Sequence, residues 1–417
     1  MKKICILFAC LIAFTVAACI IISTPSDILY LLNWGEYIDI DDDADEGYTS
    51  LVTKFEEKYD CQVVLETVTS SEAMYQKITA GTTAYDVAIP GDYVVKQMYQ
   101  EGYLMEMDVK NSEYENLYNY QDIFVDSLDS LIEDKFTEGE TEMRKYFMPY
   151  FWGAYSIIYN ETYADVITNV QEKGFAALFD KSQYSESVKV GMYDTSRWAV
   201  AAYLMSQGLN PNLTSLDGST DGDIDSTLKN ELINALYNAS FDEWDNDNLK
   251  RHTATHDLDM CFTQLGDFFD ALYLMYDEEG ATKDDINFNV WVPENTAAFF
   301  DGMIIPTTCE HYDLANKFIN FMLDPDNAYQ NAQAIGYCPT VAKVIDMYNE
   351  AAEAGEYYYG DEDTEGSLSY AEFLEKYPFY LNPLYNVSDV SNVYMLEPKS
   401  STYLTTCESI ITAVKTK

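Results

Sequence analysis

Three side chains near the start of the chain have the chemistry to hold an organic cation: Trp34, Glu36 and Tyr37, within the run NWGEYID at residues 33–39. An aromatic face attracts an ammonium by roughly 0.5–2 kcal/mol, and ring walls also suit the methylenes between charges. A carboxylate adds a charge-assisted hydrogen bond. A similar grouping follows YDVAIP, where Gly91, Asp92 and Tyr93 come next. By itself, NWGEYID reads equally well as two core aromatics beside a surface acid.

Other constellations carry less. His252 and His256 are four apart, with Asp257, Asp259 and Cys261 close by, but the segment is polar and reads as a solvated helix start. Asp217 to Leu228 spaces its oxygens like a calcium loop with Gly222 at the turn, yet ends in Leu228 where a bidentate acid is needed, so it reads as an acidic turn. DIDDDADE, residues 39–46, reads as a hydrated acidic loop. No glycine-rich phosphate loop, G-x-S-x-G elbow or H-E-x-x-H is present. The chain has 3 histidines, and its carboxylates offer no reason to select a catalytic pair. Neither an enzyme nor a metal or cofactor site is expected.

The elements that must position these groups alternate. ILYLLNW reads as a strand, TSLVTKFEEKY as a capped helix, QVVLETV as a strand, SSEAMYQKITAG as a helix ending at glycine, YDVAIPG as a buried strand and DYVVKQMYQEG as a helix. That is βαβαβ, the signature of a parallel sheet covered by helices, and ligands of open α/β sheets sit beyond the carboxyl ends of the strands. NWGEYID lies at such an end. A second alternating region starts near YFWGAYSIIYN and includes a helical stretch from about Asp259 to Glu279. Residues 132–146 and 212–230 are polar and turn-rich, and read as inserted, exposed loops.

With 417 residues, two lobes or domains are expected. Asp and Glu total 71 against 24 Lys and Arg, a formal charge of −47, which repels phosphate backbones and argues against nucleic acid as a partner. Disordered acidic chains are poor in aromatics, whereas 15% of these residues are aromatic, so a folded protein with an acidic surface is expected. Lys2 and Lys3, an apolar stretch and small residues before Cys19 have the layout of an export signal. Val16 to Cys19 resembles the lipobox of bacterial lipoproteins, whose cysteine is lipidated; an uncleaved membrane helix is the alternative. Cys61, Cys261, Cys309, Cys338 and Cys407 are scattered and form no disulfide framework.

In order and spacing, NWGEY, SSEAMYQKI with YDVAIPGDYVV, MPYFWGAYSIIYN, FFDGMIIP, and FINFMLDPDNA leading to IGYCPT resemble the spermidine/putrescine-binding proteins of bacterial ABC importers. The resemblance implies an α/β, bilobal type II periplasmic-binding-protein fold, with two doubly wound mixed sheets and a ligand cleft at the hinge. It implies a signal peptide at 1–18, a tether at 19–26, a first lobe at 27–150 with a return at 302–341, and a second lobe at 151–301 with a C-terminal segment at 342–417. A monomeric, lipid-anchored protein on the outer face of the cytoplasmic membrane follows, with a polyamine ligand and an ABC permease as partners. The same fold carrying a sugar, a peptide or another organic cation, or a sensor or adhesion lipoprotein without transport, is the alternative.

Carried over by position, the resemblance implies ligand contacts from Trp34, Glu36 and Tyr37, from Tyr93, from Asp301 as the aspartate gripping an amine, from Phe299 where tryptophan is usual, and from Tyr337. The second lobe departs. The family's D-D/S-x-R-E turn reads Asp194-Thr195-Ser196-Arg197-Trp198, so Thr195 and Trp198 stand at two acidic positions. The W-x-G-D turn reads Gln264-Leu265-Gly266-Asp267, which retains the aspartate of the putrescine-preferring branch. Glu36, Asp301 and Asp267 can neutralise a diamine and, less comfortably, a triamine.

Overall fold

The computed structural model describes residues 27–43, 47–277, 280–362, 364 and 366–417. The export signal, Cys19, the tether and part of the acidic loop at 39–46 lie outside them.

The chain enters as β1 (Asp27–Trp34), whose apolar run pairs in parallel with β2 (Cys61–Val68) and β3 (Val87–Ala88). The crossovers are helices α1 (Leu51–Tyr59) and α2 (Ser71–Ala80), and α3 (Asp92–Gln100) follows β3. Ser50 and Ser70 cap α1 and α2 by accepting from the amides of Thr53 and Ala73, which satisfies donors that a helix start leaves free. This is the βαβαβ unit expected from the pattern.

β4 (Phe147–Asn160) is buried along all 14 of its residues and joins the two halves. Beyond it come β5 (Val190–Tyr193), β6 (Glu243–Asp245), β7 (Met260–Gln264), β8 (Phe288–Trp291), β9 (Ala298–Ile304) and β10 (Cys338–Pro339). The main path runs β2-β1-β3-β9-β4-β7-β5-β6, with β8 and β10 also on β4. The first half of β4 pairs antiparallel with β9 and β10, its second half with β7 and β8. The two sheets are thus joined through one shared strand. The C-terminal helix Ser401–Thr416 packs on helices Ser196–Ser206 and Ser226–Ala239, on the β5 side.

Three local expectations are corrected. Residues 132–146 form a π-helical turn and a 3-10 turn, and Phe136 is buried against Phe147 and Phe300 at 5.2 and 4.9 Å between ring centroids. Two apolar anchors, Phe136 and Met143, hold a segment whose average composition is polar. In 212–230, buried Asn212 donates to the Met395 carbonyl at 2.8 Å and accepts from the Glu397 amide at 2.9 Å, and Asp225 caps the helix Ser226–Ala239. Only the middle of that segment is an exposed loop. The helix expected from Asp259 begins at Leu265 instead, because the residues before it form β7 between β4 and β5.

Candidate functional site

β1 ends at Trp34, half-buried, with its Nε1 donating to the Ile89 carbonyl at 2.9 Å. Glu36 takes a left-handed backbone, φ 51°, an uncommon state for a residue with a side chain. The turn leaves Glu36 exposed and swings Tyr37 inward. The Tyr37 hydroxyl donates to Asp301 Oδ2 at 2.7 Å, while the Tyr150 hydroxyl donates to the Tyr37 carbonyl at 2.7 Å and accepts from Asn331 at 2.8 Å. Tyr337 stands edge-on to Tyr37 with centroids 5.1 Å apart. Asp301, on β9, is buried, and burial pushes its carboxyl up to about 7 even though the Tyr37 hydrogen bond lowers it.

Beside Asp301, Gly91 precedes α3; a side chain there would press on Ser71 Oγ at 3.0 Å. Asp92 opens the helix, 2% exposed, with Oδ1 accepting from the Tyr93 amide at 2.7 Å. Its Oδ2 is buried with no partner. Burial raises its carboxyl to about 8; the Tyr93 amide lowers it, Asp301 raises it further, and Arg197 and Lys96 oppose that. Tyr93 is buried, and its hydroxyl donates to Glu72 at 3.1 Å.

The other wall comes from the β5 side. Tyr193, the last residue of β5, donates its hydroxyl to Asp267, which also accepts from the Gln264 amide at 3.0 Å. Burial raises the Asp267 carboxyl, against the pull of Lys250. Lys250 is ion-paired with Asp270 one turn further along the helix Leu265–Asp277. Thr195 is the N-cap residue of helix Ser196–Ser206, with its hydroxyl on Asn246 at 3.2 Å. Trp198 lies against Tyr193 and Tyr155, centroids 5.2 and 5.9 Å away, and its buried indole N–H has no partner. Phe299 packs on Tyr155 at 5.8 Å.

Two contacts tie the walls together. The Arg197 guanidinium, from the β5 side, lies 4.3 Å from the centre of the Tyr93 ring. Tyr337 lies directly over Gly266, where any side chain would collide with its ring. Tyr37, Tyr93, Tyr337, Asp301, Asp267, Trp198 and Phe299 therefore converge on one region. Trp34 flanks it, Thr195 is held toward Asn246, and Glu36 faces solvent. The sequence gives Asp92 only as the neighbour of Tyr93, and Arg197, Tyr193 and Lys250 have no assigned role in it. Asp92 and Arg197 lie beside Tyr93 and Trp198, and those neighbours are the signal; Lys250 has none.

His252 Nδ1 donates to the Glu243 carboxylate, 2.8 Å away, whereas His256 turns off the helix at φ 64° toward Thr162 and Asn287. The two rings do not share a face.

Comparisons with known proteins agree with this architecture. Residues 50–356 match the bacterial extracellular solute-binding proteins. The spermidine/putrescine-binding periplasmic protein of Salmonella typhimurium is 25% identical over 366 residues, covering 85% of this chain and 92% of that protein. A putrescine/cadaverine-binding protein of Pseudomonas aeruginosa is 27% identical over 317 residues, covering 75% and 79%. The substrate-binding protein PotD of a spermidine/putrescine ABC transporter from Streptococcus pneumoniae superposes with a TM-score of 0.63 at 26% identity, covering 94% of this chain and 99% of that one. Iron-bound HitA of Pseudomonas aeruginosa, at 14% identity and a TM-score of 0.53, shares the fold alone. The fold is the bilobal α/β fold of type II periplasmic binding proteins. The chain belongs to the bacterial extracellular solute-binding protein family.

Proposed function

We propose that this chain is the substrate-binding component of an ABC importer and closes its two lobes on a polyamine, putrescine or spermidine, for delivery to a permease. One observation carries the reading: two buried carboxylates, Asp301 and Asp92, lie side by side among tyrosine rings, and one oxygen of Asp92 has no partner. A buried unpaired carboxylate is costly, and an ammonium with aromatic walls around its methylenes removes that cost. The names of the Salmonella and Pseudomonas relatives support the same ligand class.

On this reading Tyr37, Asp301, Tyr93 and Tyr337 hold one end of the amine, Asp267, Trp198 and Phe299 the other, with Trp34, Thr195 and Glu36 at the margins. The lobes comprise 27–150 with 302–341 and 151–301 with 342–417, and the protein is exported and lipidated at Cys19. Calorimetry with putrescine, spermidine and maltose tests it. Heat with an amine, abolished by Asp301→Asn, is the expected result; no heat with either amine overturns the function. Metabolic labelling with a fatty acid, lost on Cys19→Ala, checks the anchor.

A further inference from the structure

The two walls of the cleft have opposite hydrogen-bonding needs. On the β1 side the unmet group is an acceptor: Asp92 Oδ2, on a residue 2% exposed, has no donor. On the β5 side it is a donor: the indole N–H of Trp198 is buried and has no acceptor. Rings surround that indole, with the centroids of Tyr193 and Tyr155 at 5.2 and 5.9 Å and Phe299 on Tyr155 at 5.8 Å. The acids of the same wall already have donors. Asp267 accepts from the Tyr193 hydroxyl and the Gln264 amide, Asp270 is ion-paired with Lys250, and Asp194 with Lys415. Asp245 accepts from the amides of Asp247 and Asn248, and Asp247 is exposed to water. Arg197, the neighbour of Trp198, is buried and holds a fixed positive charge 4.3 Å from the centre of the Tyr93 ring.

From this polarity we infer that the preferred ligand is an N-acylated diamine, with an ammonium at one end and an amide carbonyl at the other. The inference rests on the polyamine reading above and names the far end of the same ligand. An alkylammonium has donors and no acceptor, so it cannot satisfy an indole N–H. Beside Arg197 and among rings it would lose its water without gaining a partner. An amide oxygen accepts from Trp198 Nε1, and its acyl methyl suits the faces of Tyr155 and Phe299. The free ammonium donates to Asp92 Oδ2. A carboxylate would also accept from the indole, but the chain's formal charge of −47 opposes its entry. Discrimination then comes from the group left unpaired: a ligand without the acceptor leaves the indole N–H buried and unmet.

The test is calorimetry of the mature chain with putrescine, N-acetylputrescine and 4-aminobutyrate, for wild type and Trp198→Phe. The wild type is expected to bind N-acetylputrescine about tenfold tighter than putrescine. Trp198→Phe keeps a ring and removes the N–H, so the two affinities should come within about threefold of each other. Should the variant fail to fold by circular dichroism, the wild-type ratio decides. Putrescine binding the wild type as tightly as its acetylated form, or a ratio unmoved in folded Trp198→Phe, would overturn this inference while leaving polyamine binding intact. Binding of 4-aminobutyrate more tightly than N-acetylputrescine would overturn the choice of a neutral acceptor. No heat with any of the three would overturn both this inference and the polyamine reading.

Discussion

The two walls of the cleft solve the same electrostatic problem differently. On the β1 side, Asp301 is steadied by a neutral donor, the Tyr37 hydroxyl, and Asp92 keeps an oxygen free. On the β5 side, Asp267 is hydrogen-bonded by Tyr193 and shares a resident lysine with Asp270. The first wall is held ready for a cation from outside; the second already contains one. A hydroxyl donor stabilises a carboxylate without cancelling its charge, whereas an ammonium cancels it, so the β1 side is the stronger attractor for a cation.

Substitutions that break this contrast rank by depth. Asp301→Asn leaves the Tyr37 hydroxyl and an incoming ammonium without their acceptor and should weaken amine binding by roughly 100-fold or more in calorimetry. Tyr37→Phe keeps the ring and removes one donor, so a loss of about tenfold is expected. Thr195→Asp restores an acid at the edge of the second wall, at an N-cap position whose present side chain makes no cap bond; spermidine affinity should rise several-fold relative to putrescine. Glu36→Gln, on an exposed side chain, should change affinity by less than about threefold.

Acidity sharpens the same comparison. The carboxyls of Asp92 and Asp301 stand at about 8 and about 7, above the ordinary 3.8. Acids so raised favour the folded chain below the unfolded pKa, and that contribution is lost as pH climbs through the folded values. The ligand-free protein should therefore lose melting temperature between about pH 4 and pH 8. Added diamine should restore more of it at pH 8, where Asp301 is mostly and Asp92 partly ionised, than at pH 5, where both are protonated. Asp92→Asn should raise the ligand-free melting temperature at pH 8 and raise it less at pH 5. Scanning calorimetry at the two pH values checks both.

The parts of this site legible in the sequence were those that a strand end displays locally. Trp34 to Tyr37 and Gly91 to Tyr93 follow short apolar runs, and the parallel unit around them reads from its periodicity. Asp301, 264 residues from Tyr37, became visible through a family resemblance, since no local rule links the two. Lys250 stayed hidden because it reaches Asp267 and Asp270 only through the packing of helix Asn248–Ala254 on helix Leu265–Asp277. Glu36 was legible as an acid but not as an exposed one; the left-handed turn that points it outward has no signature in residue type. Phe136 and Met143 were lost in the polar average of their segment.

β4 serves both lobes, and this limits how the protein can be re-engineered. Its pairing with β9 shifts register between Pro149 and Phe151, and the residues after the shift pair with β9 and β10 before the strand passes on to β7 and β8. A chimera that borrows one wall of the cleft from a relative cannot be cut inside 147–160 or 298–304 without mismatching one sheet or the other. The graft must carry both strands whole, with Asp301 and Phe299 travelling alongside whichever half is exchanged.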